Sequence, residues 1–149
     1  MIDRAPDWSK GQLDTRRSRT QRGCMPTSCR CIAVVDDDPS VLRAIGRTLR
    51  MRAFDCRTYA SAEEFLDSVA TGLPDCLIVD LQMPGMTGFE LHQLLRDKGI
   101  RIPTILITAH GDARVQDRSR GLGIVAVLPK PWRNAALFAA IDAASADCR

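Results

Sequence analysis

Apolar residues in this chain fall into short unbroken runs separated by stretches of helical spacing. Ile32-Ala33-Val34-Val35, Leu77-Ile78-Val79, Ile105-Leu106-Ile107 and Val125-Ala126-Val127-Leu128 do not alternate with polar residues and are rich in β-branched ones. Runs of that kind suit strands covered on both faces of a parallel sheet. They predict strands over about 31–35, 75–80, 103–108 and 124–128, with a further strand over about 54–59.

Between the strands the apolar period changes to that of a helix. Asp38 is placed as N-cap and Pro39 as first helical residue of a helix reaching about Met51. Val41, Leu42, Ile45 and Leu49 form its inward stripe. Ser61 caps the next helix, Glu64 three residues on fits a capping box, and Phe65, Leu66 and Val69 make the apolar face. The turn-rich Met83-Pro84-Gly85-Met86-Thr87-Gly88 leads into a helix over about 88–98, with Leu91, Leu94 and Leu95 inward and Gly99 past its end. The fourth helix, over about 112–120, is weak, because Val115 is its only large apolar residue. The last covers about 132–145 and carries Leu137, Phe138 and Ile141. Five strand–helix pairs in alternation predict an α/β fold with a doubly wound parallel sheet.

Composition divides the chain in two. Residues 1–30 are rich in Arg, Ser, Thr and Gly without sustained periodicity, and predict a basic, disordered tail ahead of a domain over 31–149. Six of the seven Lys and Arg before Cys31 precede Arg30, so the net charge of +3 belongs to the tail. Its run Arg16-Arg17-Ser18-Arg19-Thr20-Gln21-Arg22 is suited to non-specific electrostatics only, so no sequence-specific nucleic-acid binding is expected. No apolar stretch approaches the roughly 20 residues of a membrane span, and no signal-peptide core opens the chain. Three of the six cysteines, Cys31, Cys56 and Cys76, fall in predicted strands, where they behave as small buried hydrophobes. That points to a reduced, cytoplasmic protein rather than a disulfide scaffold. Cys24, Cys29 and Cys31 do not have common zinc spacings.

The strand ends carry the chemistry. Asp36 and Asp37 follow the first strand, Asp80 ends the third, Thr108 ends the fourth, and Lys130 follows the fifth. Ligands of open parallel sheets bind outside the carboxyl ends of the strands, so these groups converge on one edge. Each alone has an ordinary reading: a turn carboxylate, a strand-end hydroxyl, a solvated ammonium. Together they have the makeup of a Mg²⁺-dependent phosphoryl-acceptor site. Two carboxylates about 4 Å apart repel by roughly 4 kcal/mol at intermediate dielectric, which a hard divalent cation relieves.

The stretches "IAVVDDDPSVL", "PDCLIVDLQMPGMTGFEL", "IPTILITAHGDA" and "VAVLPKPW" resemble the receiver domain of two-component response regulators. The likeness is strongest to receivers of nitrogen-fixation-type regulators with a helix-turn-helix output. It implies a flavodoxin-like (βα)5 fold with strand order 2-1-3-4-5 and Mg²⁺-dependent phosphoryl transfer from a histidine kinase or phosphotransfer protein. Carried over, Asp80 is the phosphoacceptor, with Mg²⁺ on Asp37, Asp80 and the Gln82 backbone carbonyl, and Asp36 acting through water. Thr108 and Lys130 meet the phosphoryl oxygens, and the Lys130-Pro131 bond is cis. Only self-phosphorylation and self-dephosphorylation are expected, with no separate substrate turnover.

The chain departs from that pattern in places. Val127 stands where many receivers have an aromatic that swings inward, and the fourth helix carries Arg118, Ser119 and Arg120. That helix is expected to be loosely held, or its arginines to meet an acidic partner. Gln82 and His110 either flank the phosphoryl group or, for His110, simply face solvent. No output domain follows, so a single-domain receiver is expected. Its signal would pass to a protein or a second copy through the fourth helix, fifth strand and fifth helix, with Val127, Arg120, Trp132 and Arg133 on that face. The rival readings are a phosphorylation-independent adaptor and a phosphate sink.

Overall fold

A computed structural model describes residues 30–147; the expected tail over 1–30 lies, apart from Arg30, outside the described residues. Five strands, β1 (Cys31–Val35), β2 (Asp55–Tyr59), β3 (Cys76–Asp80), β4 (Thr104–Thr108) and β5 (Ala126–Pro129), form one sheet in the order β2-β1-β3-β4-β5. Every pairing is parallel, with Val35 opposite both Tyr59 and Val79, and Asp80 opposite Ile107. The helices between and after them are α1 (Pro39–Arg50), α2 (Ala62–Ser68), α3 (Gly88–Asp97), α4 (Ala113–Gly121) and α5 (Asn134–Asp147). This is the flavodoxin-like doubly wound fold with the expected order.

The sheet separates two apolar layers. Ala33, Val35, Leu77, Val79 and Leu106 pack with Phe65, Leu91 and Leu95 on the side of α2, α3 and α4. Ile32, Val34, Ile78, Ile105 and Ile107 pack with Ile45, Leu49, Leu137 and Ile141 on the side of α1 and α5. Alternate residues of β1, β3 and β4 thus serve opposite layers, which explains why their sequences are apolar throughout. β2 is an edge strand and mostly exposed, which is why its sequence Asp-Cys-Arg-Thr-Tyr is polar.

Helix ends follow the local chemistry. The Asp38 side chain accepts from Ser40 N–H at 2.9 Å, as its N-cap role requires. Ser61 Oγ accepts from Glu64 N–H, but the Glu64 carboxylate reaches one residue further back, to Ala60 N–H at 3.1 Å. Val69, expected inside α2, instead begins a short 3-10 turn ending at Thr71. A complete capping box stands at α3, where Thr87 Oγ1 accepts from Glu90 N–H and Glu90 accepts from Thr87 N–H. α5 begins at Asn134, so Trp132 and Arg133 precede the helix. β5 begins later than expected and runs through Pro129, which an edge strand tolerates because the missing N–H costs no ladder bond there.

Candidate functional site

The carboxyl ends of β1, β3, β4 and β5 lie side by side, and the expected residues meet there. Asp36 is 1% exposed and Asp80 5%, while Asp37 is exposed. One carboxylate oxygen from each of Asp36, Asp37 and Asp80 falls within 4.8 Å of the others. Lys130 Nζ stands 3.0 Å from Asp36 Oδ2 and 3.3 Å from Asp80 Oδ1.

The backbone fixes each group. Asp36 N–H donates to Tyr59 O at 3.1 Å, and Asp36 Oδ1 accepts from Asp38 N–H at 2.9 Å. That turn aims Oδ2 inward, where it is fully buried and has no aligned hydrogen bond despite the nearby ammonium. Leu81 N–H donates to Ile107 O, carrying the chain one residue beyond β3, and Gln82 N–H lies 3.4 Å from Asp80 Oδ1. Lys130 N–H donates to Thr108 O at 2.9 Å, and the Lys130-Pro131 bond is cis, as expected. Thr108 is buried, and its hydroxyl accepts from His110 N–H at 3.0 Å, leaving its own proton to donate. The His110 side chain is exposed. A Cβ on Gly111 would lie 3.2 Å from the Thr108 methyl and 3.9 Å from Val127, so the absent side chain lets this loop close over both.

Electrostatically the cluster is short of positive charge. Burial raises the Asp80 pKa, and the Asp36 charge raises it further against the pull of Lys130. Burial likewise raises that of Asp36 against its Asp38 hydrogen bond and Lys130. Burial pulls Lys130 down, but its close pairing with the Asp36 and Asp80 carboxylates outweighs that and holds it above the usual lysine value. One ammonium serves three carboxylates, so it stays charged while they remain under-compensated. The residues fit a divalent hard cation: the donors are carboxylate oxygens, one buried oxygen lacks an aligned bond, and two negative charges remain over.

The remaining expected residues are distributed over both layers. Val127 packs with the α2–α4 layer, whereas Trp132 packs with the α1–α5 layer. The sheet therefore stands between them, and they do not form one apolar patch. Arg120 and Arg133 are exposed, and Arg120 pairs with Asp117 one turn earlier in α4.

One group of contacts escaped the sequence reading. α3 presents Phe89, His92 and Arg96 on one stripe, and all three hold α4. The Arg118 guanidinium lies 4.4 Å from the centre of the Phe89 ring. His92 Nε2 and Arg96 Nη1 both reach Leu122 O, the residue that ends α4, at 2.9 and 2.5 Å. The weak fourth helix is thus held by polar contacts that supplement the limited apolar packing of Val115 and Leu122. Phe89 and His92 are buried while Arg96 is exposed at the rim, so no apolar pattern in the sequence marks this contact.

A model of the response regulator receiver domain family matches residues 32–142, and the chain belongs to that family. It is 35% identical over 115 residues to the transcriptional regulatory protein TdiR of Thauera aromatica, covering 77% of this chain and 51% of the relative. To the transcriptional regulatory protein FixJ of Rhizobium meliloti it is 35% identical over 114 residues, 76% of this chain and 56% of that one. Among solved structures, a response regulator receiver protein from Burkholderia phymatum superposes with a TM-score of 0.70 at 40% identity, covering 78% of this chain and 95% of the other. The chain spans about half the length of these curated relatives. It is a response regulator receiver domain, of the class used in two-component signal transduction. Among the described residues, no helix is long and apolar enough to cross a membrane.

Proposed function

We propose that this domain takes a phosphoryl group from a histidine kinase or phosphotransfer protein onto Asp80, with Mg²⁺, and thereby changes a protein-contact face. The observation that carries the reading is the position of Asp80: a buried carboxylate, 3.3 Å from Lys130, at a point where two further carboxylates converge. Asp80 Oδ1 is engaged by Lys130 and Gln82 N–H, which leaves Oδ2 to attack phosphorus. The bond from phosphorus to the donor's imidazole nitrogen breaks as the bond to Oδ2 forms, and the donor keeps that electron pair.

Most of the barrier to phosphoryl transfer lies in charge and positioning. Lys130 neutralises charge on the phosphoryl oxygens, and Thr108 turns its free hydroxyl proton toward one of them. Asp36, Asp37, Asp80 and the Gln82 carbonyl would hold Mg²⁺, which supplies counter-charge for the incoming phosphate. Re-aiming Thr108 breaks its bond to His110 N–H and so disturbs the loop leading into α4.

Intact mass after incubation with a small-molecule phosphodonor tests the reading. With Mg²⁺ the chain should gain one phosphoryl group; Asp80→Asn and a metal-free sample should gain none. Labelling that persists in Asp80→Asn would reject Asp80 as the acceptor. Absence of labelling in every sample, together with no beryllofluoride binding, would favour the adaptor reading, which Val127 in place of an aromatic also suits.

A further inference from the structure

A cleft of about 440 Å³ opens at the amino ends of the strands, on the edge of the sheet away from the carboxylate cluster. Ile100, Ile102 and Pro103, which lead into β4, form it together with Leu95 of α3 and Leu122 at the end of α4. Leu95, Ile100 and Ile102 are buried, so the floor of the cleft is apolar. Small-molecule sites span roughly 300–1,000 Å³ and combine mainly apolar walls with a few convergent polar groups. The cleft fits that description in size and in walls.

Its polar groups are all basic: His92, Arg96 and Arg101 line the same cleft. His92 is buried, with Nδ1 3.2 Å from Thr104 Oγ1 and Nε2 2.9 Å from Leu122 O, so it has no nitrogen to spare. Arg96 gives one N–H to Leu122 O and keeps the rest of its fork. Arg101 is exposed at the rim and has no hydrogen bond or ion pair among the described residues. No carboxylate lines the cleft. Asp97, next to Arg96 in the chain, accepts from Gln93 Nε2 at 3.0 Å, one turn back along α3. Asp75, just before β3, accepts from Cys31 N–H at 2.9 Å on the β1 side, away from β4. Two guanidinium groups therefore border an apolar floor with no counter-charge.

We infer that this cleft binds a small organic carboxylate, its anionic head held by Arg96 and Arg101 and its aromatic or branched aliphatic body laid on Leu95, Ile100 and Ile102. Both halves of the ligand are argued from the cleft. Guanidinium forks match a carboxylate with paired, charge-assisted hydrogen bonds. A bare inorganic anion would leave the apolar floor wet and gain nothing from it. An uncharged apolar molecule would leave both arginines unused. The site stands apart from Asp80 and does not rest on the acceptor reading. It meets α4 at Leu122, which lines the cleft and accepts from Arg96.

Amide NMR titration of the full chain with benzoate and with isovalerate, one aromatic and one branched aliphatic acid, tests the inference. At least one of them should shift the signals of residues 92–104 and 122–124, saturating at millimolar concentration. Benzamide, which keeps the shape and loses the charge, should bind about tenfold more weakly or worse. Inorganic phosphate, which keeps a charge and loses the body, should also bind more weakly. Arg101→Gln should weaken the carboxylate by about tenfold or more, the loss expected for a hydrogen bond to a charged group. Arg101 is exposed and unpaired, so the thermal midpoint and phosphoryl uptake of this variant should match the parent. That comparison keeps a failure of this site distinct from misfolding and from a failure of the acceptor reading. The inference is overturned if neither acid saturates these signals, or if the shifts centre instead on Asp36, Asp80 and Lys130. It is overturned equally if benzamide or phosphate binds as tightly as the carboxylates, or if Arg101→Gln binds them like the parent.

Discussion

At the residue scale two backbone positions constrain the chain in opposite directions. Gly88, at the start of α3, has no room for a side chain: a Cβ there would stand 2.8 Å from Asp80 O and 2.9 Å from Leu106. Gly88→Ala should destabilise the domain by about 1–3 kcal/mol, measured by urea denaturation, and should disturb the Asp80 carboxylate as well. Ala53, between α1 and β2, adopts φ 66, a left-handed conformation that glycine occupies without strain. Ala53→Gly should raise stability by about 0.5–1 kcal/mol in the same assay, the relieved strain exceeding the added unfolded-state entropy. Among the cysteines, burial pushes the Cys31 thiol up to about 11 and also raises Cys56. The raised pKa suits unreactive thiols, but of the three cysteines expected to be buried only Cys76 is; Cys31 and Cys56 are half-buried, because they sit at the start of β1 and on the edge strand β2. Asp36, Asp37, Asp80, Thr108 and Lys130 were legible because each ends an apolar run, and topology alone brings such ends together. The caps were less legible: Glu64 was expected to close on Ser61 and closes on Ala60, and the Thr87–Glu90 box was hidden within a turn-rich run.

At the element scale α4 stands apart. β1, β3 and β4 could be read from composition because each is buried on both sides, and α1 from its stripe. α4 fully buries only Ser119, packs Val115 against the core, and is tied at its end and its Arg118 to α3. Sequence period could not reveal that hold, because a cation over a ring and two donors on one carbonyl leave no apolar pattern. Arg118→Ala should therefore speed amide exchange in α4 while leaving β3 and β4 protected, an outcome hydrogen-exchange mass spectrometry can read. Exchange unchanged in α4 would show that the Phe89 ring contributes nothing to its hold. His92 adds a pH dependence. It is buried, and burial lowers its pKa against the Leu122 hydrogen bond, with Arg96 lowering it further. The unfolded chain thus takes up this proton first, and stability should fall as pH drops below about 6.5, levelling off once the folded imidazole also protonates. Denaturant midpoints across pH 7 to 5 should show that decline, and His92→Gln should remove it.

At the scale of the whole molecule, the sheet joins the chemistry on one edge to helices on both faces. A cation bound by the folded carboxylates and not by the unfolded chain must raise stability. At free Mg²⁺ a hundred times its dissociation constant the gain should be about 2.7 kcal/mol. Differential scanning fluorimetry with and without Mg²⁺ checks this, and Asp37→Asn should reduce the shift. An unchanged shift would remove Asp37 from the proposed set of Mg²⁺ ligands. The doubly wound order was readable from five alternating pairs, since parallel strands require crossovers and those crossovers are the helices. The relation of Val127 to Trp132 was not, because their separation by the sheet depends on which way each residue faces near β5. A face built around both residues would have to wrap the edge of the domain.

The grip of α3 on α4 has a thermodynamic consequence. Contacts made by one ring, one imidazole and two guanidinium groups are directional and bury little apolar surface. Moving α4 would therefore break these polar bonds and expose, of its own apolar residues, only the partly buried Val115 and Leu122. Heat capacity changes follow exposed apolar area, whereas broken polar bonds register in enthalpy. Calorimetric titrations that displace this helix, repeated at several temperatures, should give a measurable heat whose temperature dependence is small, set by two apolar side chains and not by a full helix face.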